Sequence, residues 1–521
     1  MTHDLVLPSV MLADLRRLAQ RLSLIARAGD TIALRGDLGA GKTSFARFLI
    51  EALQGQGARD GDGEIPSPTF ALLQEYDTAR MPIAHFDLYR LRDASELEEI
   101  GFDDATSRAL VLVEWPERAG EALPADRIEL ALAETSAPEA RHVTVRGLGA
   151  AAPKIQRLGE ITHFLGTAGW READVAYLQG DASQRAYARL RARDGRRAIL
   201  MDAPRQPDGP PVRDGLSYSR IAHLAEDVGP FVAVAGALSR AGLSAPAILA
   251  ADLERGLVLL EDLGDGVYGE LIKDPGRAGQ EELWTAALDT LIALRRAAPP
   301  CVCPLAGGQS HALPRLDRPV LEIEAGLLPA WYWPEVKGAP MPAAELAAYS
   351  ALWAPLIDRL VADPPGWMLR DYHSPNLLWL PERAGHARVG VIDFQDALQG
   401  PWAHDVMSLL QDARVDVPAE IEDRLLDRYC ARMITVQPDF DEPAFRAIYA
   451  TYGALRATRL LGLWVRLLRR DGKPNYLQHA PRTWDYLERN LRHPDLAALR
   501  SWYDRHFPPA ARARALGGTR V

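Results

Sequence analysis

Two separate stretches of the chain combine residue types that can act on phosphate groups. In the stretch LRDYHSPNLL, Asp371 and Asn376 are five positions apart, and Asp393 follows in VGVIDFQDA. This spacing lets one carboxylate accept the proton of an attacking hydroxyl while the amide and the second carboxylate bind Mg²⁺. The sequence therefore predicts phosphoryl transfer from ATP to an alcohol, with Asp371 as the catalytic base.

The other stretch lies near the start of the chain and fits the phosphate-binding pattern G-x-x-x-x-G-K-[ST]. GDLGAGKT stands between an apolar strand-like run, TIALRG, and a helical run, KTSFARFLIEAL. In that context the backbone N–H groups cradle phosphates, Lys42 reaches the β and γ phosphates, and the Thr43 hydroxyl binds Mg²⁺. The predicted nucleotide-binding residues of this loop are Gly36, Asp37, Leu38, Gly39, Ala40, Gly41, Lys42 and Thr43.

Three further stretches add candidates to this first site. Asp87 ends the apolar strand in HFDLYR, where a metal-binding carboxylate is expected. Glu114 ends the strand in VEWPE, where a carboxylate can orient an attacking water, and Trp115 is placed to pack over the nucleotide. Thr69, in SPTF, lies where a switch segment contacts the γ-phosphate. Together these residues predict a site that binds and hydrolyses a nucleoside triphosphate.

In this order, GDLGAGKT, SPTF, HFDLYR and EWPE resemble the small ATPase (TsaE) of the bacterial system that makes threonylcarbamoyladenosine in tRNA, over about residues 1–148. The resemblance implies an ATPase that serves the partner proteins of the tRNA-modification complex. A small-molecule P-loop kinase is the competing interpretation, and the lack of a separate lid segment after HFDLYR disfavours it. The ATPase residues implied by the resemblance are Lys42, Thr43, Thr69, Asp87 and Glu114.

The second site has features of kinases that act on small molecules rather than on proteins. His373 stands where protein kinases typically have lysine, and D-x-H-x-x-N is the pattern of aminoglycoside- and choline-kinase-like enzymes. QGDASQRAYARL predicts a strand–turn–strand over the phosphates, and LLEDLG predicts a hinge whose backbone binds adenine. The nucleotide-binding candidates in these segments are Gly180, Asp181, Ala182, Ser183, Arg185, Glu261 and Leu263.

A narrower resemblance covers about residues 157–500 and rests on GDAS-R-Y-R, MDAP, LLEDLGD, RDYHSPNL, IDFQDA and RDGKPNYL. These stretches resemble the anomeric kinases (AmgK) that phosphorylate the C1 hydroxyl of N-acetylmuramate and N-acetylglucosamine in cell-wall sugar recycling. The resemblance implies that Mg·ATP binds between two lobes and that Asp371 faces the anomeric hydroxyl. It also predicts that Glu324, in DRPVLEIEAGLLPAWY, contacts sugar hydroxyls, with a solvated helix face as the alternative.

One departure from the kinase pattern leaves alternatives open. The usual phosphate-binding lysine of the third strand is absent, since AILMDAP has Met201 near that position. Arg185 and Arg189, after the glycine turn, are the candidate cations. The acceptor can be another alcohol, such as an aminoglycoside or a choline-like molecule, or the domain can be a regulatory pseudokinase attached to the ATPase. Retention of the catalytic base and of both metal-binding residues argues against the pseudokinase.

These sites must be positioned by more than one domain, because single cores rarely exceed roughly 250–300 residues and the chain has 521. Alternating strand-like and helix-like runs predict an α/β P-loop NTPase domain over residues 1–148. GLGAAAP places a linker at residues 149–156. A two-lobed, protein-kinase-like (aminoglycoside phosphotransferase) α+β domain follows, with a β-rich lobe at 157–264 and a helical lobe at 265–521.

The composition narrows the partners and the compartment. The net charge is −10 with a pI near 5.7, which argues against broad binding of nucleic acid or anionic membranes. Three cysteines are too few for a disulfide framework. No signal peptide and no uncharged apolar run of about 18 residues is evident. The sequence predicts a cytoplasmic protein that uses ATP and Mg²⁺, makes no direct contact with nucleic acid or membrane, and binds an amino sugar through its C-terminal domain.

Overall fold

The computed structural model describes residues 2–55, 68, 72–93, 95–178, 185–274 and 279–512. The chain divides into two compact units. The first comprises Met1–Pro204 with Leu249–Asp262, and the second comprises Arg205–Ile248 with Leu263–Val521. Within the described ranges, no helix is both long enough and apolar enough to cross a membrane.

The strands are numbered in chain order. They are β1 (Thr2–Val10), β2 (Thr31–Arg35), β3 (Leu73–Asp77), β4 (Pro82–Asp87), β5 (Leu110–Glu114), β6 (Arg127–Glu134), β7 (Arg141–Leu148), β8 (Asp174–Leu178), β9 (Ala186–Arg191), β10 (Arg197–Asp202), β11 (Pro211–Arg213), β12 (Leu216–Ser217), β13 (Ile248–Asp252), β14 (Leu257–Glu261), β15 (Val302–Pro304), β16 (Ser310–Ala312), β17 (Gly366–Met368), β18 (Leu377–Trp379), β19 (Val389–Val391) and β20 (Leu398–Gly400).

The α-helices follow the same rule. They are α1 (Leu12–Ile25), α2 (Lys42–Gln54), α3 (Glu96–Glu99), α4 (Phe102–Arg108), α5 (Ala152–Thr167), α6 (Tyr218–Ile221), α7 (Gly229–Arg240), α8 (Tyr268–Lys273), α9 (Gln280–Leu294), α10 (Arg318–Ala325), α11 (Trp333–Lys337), α12 (Ala343–Ala362), α13 (Ala403–Leu410), α14 (Ala419–Val436), α15 (Glu442–Asp471), α16 (Ala480–Leu491), α17 (Ala497–His506) and α18 (Pro509–Arg512).

A seven-stranded sheet in the first unit has the order β1-β7-β6-β2-β5-β4-β3. Strand β2 pairs in parallel with β5 and β6, and β5 pairs in parallel with β4. Strands β2, β4 and β5 are almost wholly buried, as expected for the centre of a parallel sheet. Because parallel strands end at the same edge, the glycine loop, Asp87 and Glu114 all meet there. This arrangement confirms the predicted α/β P-loop fold.

A second sheet, of five strands in the order β13-β14-β10-β9-β8, also lies mainly in the first unit. Strand β9 pairs antiparallel with β8 and β10, and β10 pairs antiparallel with β14. Alternation puts Leu190, Leu200 and Leu259 on one face, where each is fully buried. This is the β-rich lobe that the sequence predicts.

One continuous hydrophobic cluster joins the two sheets of the first unit. It contains Leu34 of β2 and Leu22 of α1 together with Leu158 of α5, and also Leu190 and Leu200 of the five-stranded sheet. The inner face of that sheet is therefore covered by the P-loop domain and α5. Burial of this kind stabilises a fold by roughly 25 cal/mol for each Å² of apolar surface removed from water.

Polar contacts also join the five-stranded sheet and α5 to the P-loop domain. The Val175 N–H donates to Gln20 Oε1 at 3.0 Å, which ties the edge strand β8 to α1. The Arg80 guanidinium lies 3.9 Å from the centre of the Tyr177 ring, and partial burial lowers the pKa of Arg80 to about 10. Lys154, at the start of α5, pairs with Asp30 at 2.5 Å. These contacts fix the five-stranded sheet on the P-loop domain.

The segment predicted as a linker, residues 149–156, is helical in the structure. Gly149–Ala151 form a single 3₁₀ turn, and α5 begins at Ala152 with Pro153 in its first turn. Proline is favoured there because a backbone N–H in the first turn has no acceptor within the helix, so its absence costs nothing. Ile155 is fully buried in the shared cluster, so the join between the two predicted domains is packed rather than loose.

The second unit is mainly helical, and short strand pairs within it carry the catalytic loop. Strand β17 pairs with β20, and β18 pairs with β19, each antiparallel. The loop between β17 and β18 holds Asp371 and Asn376, and Asp393 lies two residues after the end of β19. The Ile392 N–H donates to the Asn376 carbonyl at 3.0 Å, so the two predicted metal-binding residues are held side by side. The helical lobe predicted from the sequence is confirmed.

Candidate functional sites

The glycine loop connects β2 to α2 with the backbone geometry that phosphate binding needs. Gly36 has φ +142°, and a Cβ there would lie 2.5 Å from the Leu132 carbonyl oxygen. Gly41 has φ +110° and immediately precedes α2. Residues with side chains rarely adopt these conformations, so the glycines are required by the turn itself. The N-terminus of α2 consequently faces the loop, where its free N–H groups favour an anion.

Lys42 lies folded over this loop. Its Nζ donates to the carbonyls of Gly36 at 2.7 Å and Asp37 at 3.0 Å, and it lies 3.7 Å from the centre of the Trp115 ring. Burial lowers the pKa of Lys42, although Glu114 opposes the shift. An anion in the loop would compensate for this loss of solvation. Trp115 is thus positioned beside the phosphate-binding lysine.

Glu114 is the centre of a buried polar chain. The Thr43 hydroxyl donates to Glu114 Oε2 at 2.9 Å, and His85 Nε2 lies 3.0 Å from Glu114 Oε1. Asp87 lies opposite Glu114 in the register of the paired strands β4 and β5. Burial raises the pKa of Asp87. The structure brings Thr43, Asp87 and Glu114 together, as the sequence predicts. It adds His85, whose place two residues before Asp87 on the same strand face was the available signal.

Of the two other residues predicted for this site, the structure describes Trp115 but not Thr69. Trp115 follows β5 with φ +58°, an uncommon backbone conformation for a side-chain-bearing residue, and its ring lies 5.0 Å from that of Tyr89. The ring pair forms one wall beside Lys42. Thr69 lies outside the described residues.

The catalytic loop of the second unit closes on itself through Asn376. Asn376 Nδ2 donates to the Asp371 carbonyl at 3.0 Å and lies 3.4 Å from Asp393 Oδ2. Gln395 Nε2 donates to Asp393 Oδ1 at 3.0 Å. Arg370 and Asp393 both have positive φ, +69° and +60°. Strained backbone at side-chain-bearing residues concentrates in functional sites, and here it flanks the three predicted residues.

The loop is supported by two buried carboxylates from the following segment. Asp405 accepts the Leu369 N–H at 2.6 Å and the Arg370 N–H at 3.1 Å. Asp412 accepts the Ser374 N–H at 2.7 Å. The loop therefore does not need the histidine that many kinases place at the position of Leu369, because carboxylates hold its backbone directly.

A cavity of about 140 Å³ lies beside Asp371 within the second unit. Glu324, from α10, is 3% exposed and lines this cavity rather than a solvated helix face. Its Oε1 lies 2.9 Å from Arg459 Nη1 and 3.6 Å from Arg370 Nη2. The complete lining is Tyr218, Leu224, Glu324, Leu327, Met368, Arg370, Asp371, His404, Arg456, Arg459, Leu463 and Arg466.

The cavity is strongly cationic, because four arginines line it against two carboxylates. Partial removal from water opposes the charge on Asp371, but His373 and the neighbouring arginines outweigh it, so the pKa of Asp371 is lowered. Burial lowers the pKa of His373, whose Nε2 lies 3.9 Å from Asp371 Oδ1. The arginines keep Asp371 ionised and able to accept a proton. Sequence patterns around the catalytic loop gave no sign of Arg456, Arg459 or Arg466.

The structure describes only some of the nucleotide-binding candidates in and around the five-stranded sheet. Met201 is 1% exposed on β10, where the phosphate-binding lysine of kinases is expected. Arg189 pairs with Asp262, and its Nε lies 3.0 Å from Asp262 Oδ2. Asp262 directly follows the predicted hinge residue Glu261. Arg185 precedes β9. The turn residues Gly180, Asp181, Ala182 and Ser183 lie outside the part of the chain that the structure describes.

Both sites fit Mg²⁺ through few protein ligands. Among the described residues, no group of three or more His, Cys, Asp or Glu side chains is arranged to hold a metal ion. Mg²⁺ retains several waters and usually binds one or two carboxylates together with phosphate oxygens. Glu114 with the Thr43 hydroxyl, and Asp393 with the Asn376 amide, each offer the oxygen-bearing groups that such a site needs.

Two protein-family models match separate parts of the chain. A family model described as Threonylcarbamoyl adenosine biosynthesis protein TsaE matches residues 10–143. A model described as Phosphotransferase enzyme family matches residues 174–448, which is more than half of the chain. The two matches correspond to the seven-stranded P-loop domain and to the five-stranded sheet with most of the helical unit.

Curated relatives fall into the same two groups. An N-acetylmuramate/N-acetylglucosamine kinase of Caulobacter vibrioides is 42% identical over 360 residues, covering 67% of this chain and 96% of the relative. A tRNA threonylcarbamoyladenosine biosynthesis protein TsaE of Streptomyces coelicolor is 36% identical over 172 residues, covering 32% of this chain and all of the relative. A solved structure, the ADP-bound aminoglycoside phosphotransferase APH(2'')-Ib, covers 60% of this chain and 92% of its own at 15% identity and a TM-score of 0.36.

Proposed function

Because the chain belongs to the phosphotransferase enzyme family, and over residues 10–143 to the TsaE family, we propose that it is a bifunctional enzyme. One activity is an ATPase that supports threonylcarbamoyladenosine modification of tRNA. The other is ATP-dependent phosphorylation of the anomeric hydroxyl of N-acetylmuramate and N-acetylglucosamine. The observation that supports the second assignment is that Asp371 and Glu324 line the same cavity.

In the kinase reaction, Asp371 accepts the proton of the anomeric hydroxyl while the hydroxyl oxygen attacks the γ-phosphorus of ATP. The bond from the γ-phosphorus to the bridging oxygen breaks, and ADP leaves. A positioned base of this kind typically contributes about 10²–10⁴-fold to the rate. Asn376 and Asp393 would hold Mg²⁺, which would supply neutralisation of the charge on the phosphates. Glu324 orients the sugar through its hydroxyls.

Nucleotide binding in the kinase is assigned to residues that precede the helical unit. Backbone groups between Glu261 and Leu263 bind adenine, and the turn Gly180–Ser183 covers the phosphates. Arg185 and Arg189 are both candidates to contact the phosphates in place of the absent lysine, and Arg189 also pairs with Asp262. Guanidinium groups bind phosphate oxygens well because two parallel N–H groups can donate at once.

In the ATPase reaction, the loop Gly36–Thr43 binds the phosphates and Lys42 contacts the β and γ groups. Thr43 and Asp87 are the predicted magnesium ligands, and Trp115 packs against the nucleotide. Because Glu114 already accepts the Thr43 hydroxyl, we extend the metal site to it, while its carboxylate also orients the attacking water. Thr69 completes the site as the switch residue. The partners are the proteins of the tRNA-modification complex.

The cavity also weighs against the alternative acceptors. An aminoglycoside or choline carries positive charge, and four arginines line the cavity against two carboxylates. Like charges in a partly buried site repel strongly. The pseudokinase interpretation is weakened because Asn376 contacts both the loop of the base and the carboxylate of Asp393. A domain without catalysis has no need of this geometry.

The proposal is tested on the full chain with a panel of acceptors and γ-labelled ATP. N-acetylmuramate and N-acetylglucosamine should yield acid-labile sugar 1-phosphates, whereas kanamycin, choline and ethanolamine should yield none. Phosphorylation of a cationic acceptor alone would refute the sugar assignment. For the ATPase, Lys42→Ala in cells that lack another copy should lower threonylcarbamoyladenosine in tRNA, and an unchanged level would refute the tRNA role.

A further inference from the structure

Three of the four arginines that line the sugar cavity come from one face of a single helix. Arg456, Arg459, Leu463 and Arg466 of α15 line the cavity at spacings of three, four and three residues. Residues at those spacings lie above one another along a helix. The helix therefore presents a row of arginines that begins near Asp371 and extends away from it.

The members of this row differ in how their charge is balanced. Arg459 donates to Glu324 at 2.9 Å. Arg456 donates to the Gln411 carbonyl at 3.0 Å, and Asp412 and Asp371 offset part of its charge. Each of these two arginines thus has a structural role next to the catalytic base.

Arg466 has no comparable partner. Its guanidinium lies 5.4 Å from the centre of the Tyr218 ring, and its Nε is buried without an acceptor among the described residues. Partial burial lowers its pKa, although the Tyr218 side chain opposes the shift. The nearest acidic residue along the helix, Asp471, already pairs with Arg470. A cation removed from water in this way is costly unless an anion binds it.

From this geometry we infer that Arg466 is a specificity residue that binds a carboxylate of the acceptor sugar. The inference rests on the proposed sugar-kinase function and adds the group that is recognised. N-acetylmuramate differs from N-acetylglucosamine by a lactyl ether on the 3-oxygen, which ends in a carboxylate. That substituent leaves the ring from a different carbon than the reacting C1 hydroxyl, so it reaches a different end of the cavity from Asp371. A guanidinium can bind it through two parallel hydrogen bonds.

The test compares the two sugars in Arg466→Met, which keeps the apolar stem against Tyr218 and removes the charge. The kcat/KM for N-acetylmuramate should fall about 10- to 100-fold, the usual effect of losing a charged hydrogen bond, while that for N-acetylglucosamine stays within about twofold. Arg466→Lys should fall in between, because it keeps the charge and loses the planar fork. The matched control is Arg469→Met, which lies nearly one turn further along the helix, pairs with Glu335 and is outside the cavity lining, and which should change neither value.

A second measurement uses the unaltered chain and so does not depend on the folding of a variant. The methyl ester of N-acetylmuramate has the same shape without the charge, and its kcat/KM should fall to about that of N-acetylmuramate with Arg466→Met. Equal loss for both sugars in Arg466→Met, or an ester as good as the acid, would overturn the inference. If the unaltered chain phosphorylates neither sugar, the proposed function fails instead, and calorimetric binding of N-acetylmuramate and of its ester still decides whether the carboxylate is recognised.

Discussion

Removing one buried side chain from the hydrophobic cluster that joins the two sheets of the first unit should affect both activities at once. Leu158 of α5 is fully buried in the cluster that joins the P-loop sheet to the five-stranded sheet. Leu→Ala at such a site costs about 2–5 kcal/mol, from lost transfer free energy and the cavity left behind. The unit that contains it, Met1–Pro204 with Leu249–Asp262, has about 220 residues. For that size each kcal/mol lowers Tm by about 2–4 °C, so a cost of about 3 kcal/mol lowers it by about 6–12 °C.

The assay is thermal inactivation of the full chain, with ATP hydrolysis and sugar phosphorylation measured on the same heated samples. Leu158→Ala should lower both half-inactivation temperatures by the same amount, because the five-stranded sheet cannot unfold separately from the P-loop domain. The matched control is Leu487→Ala on α16, also fully buried but in the second unit. It should lower the temperature for sugar phosphorylation alone. If Leu158→Ala shifts only the ATPase curve, the two sheets do not share a cooperative core.

Three further substitutions separate the two sites. Glu324→Gln removes the charge that faces Arg459 and should lower kcat/KM for both sugars about 10- to 100-fold without changing ATP affinity, as steady-state kinetics and nucleotide titration will show. Asp405→Ala leaves two buried N–H groups without acceptors, at about 1–3 kcal/mol each, so calorimetry should show a destabilised second unit while ATP hydrolysis persists. Glu114→Gln should lower ATP hydrolysis about 10²–10⁴-fold and leave sugar phosphorylation within about twofold. Unchanged kinetics or stability would contradict the corresponding role.

The residues that the sequence predicts well belong to short continuous motifs. The glycine loop, Asp87 and Glu114 could be found because each follows an apolar strand, and parallel strands necessarily end at one edge. Asp371, Asn376 and Asp393 could be found because their spacing is set by one loop and the strand that follows it. In both cases local spacing determines the geometry.

The residues that the sequence misses are brought into place by tertiary packing. Arg459 and Arg466 lie far along the chain from Asp371, and only their helical spacing with Arg456 marks a common face. The structure is helical over residues 149–156, where the linker prediction rests on the glycines of GLGAAAP. Its alanines and Pro153 equally favour a helix start, and packing of Ile155 decides between the two. Neither outcome can be read from local composition.

The shared core also determines how the two activities should be separated. Cutting the chain near residue 150 would expose the buried face of the five-stranded sheet, so point substitutions in the full chain are the cleaner test. The decisive measurement is ³¹P NMR of the full chain with ATP and N-acetylmuramate, made on the unaltered protein, Lys42→Ala and Asp371→Asn. We expect a sugar 1-phosphate from the first two and none from Asp371→Asn, with acceptor-independent ATP hydrolysis lost only in Lys42→Ala. A sugar 1-phosphate from Asp371→Asn at the unaltered rate, or its loss in Lys42→Ala, would contradict two independent ATP sites.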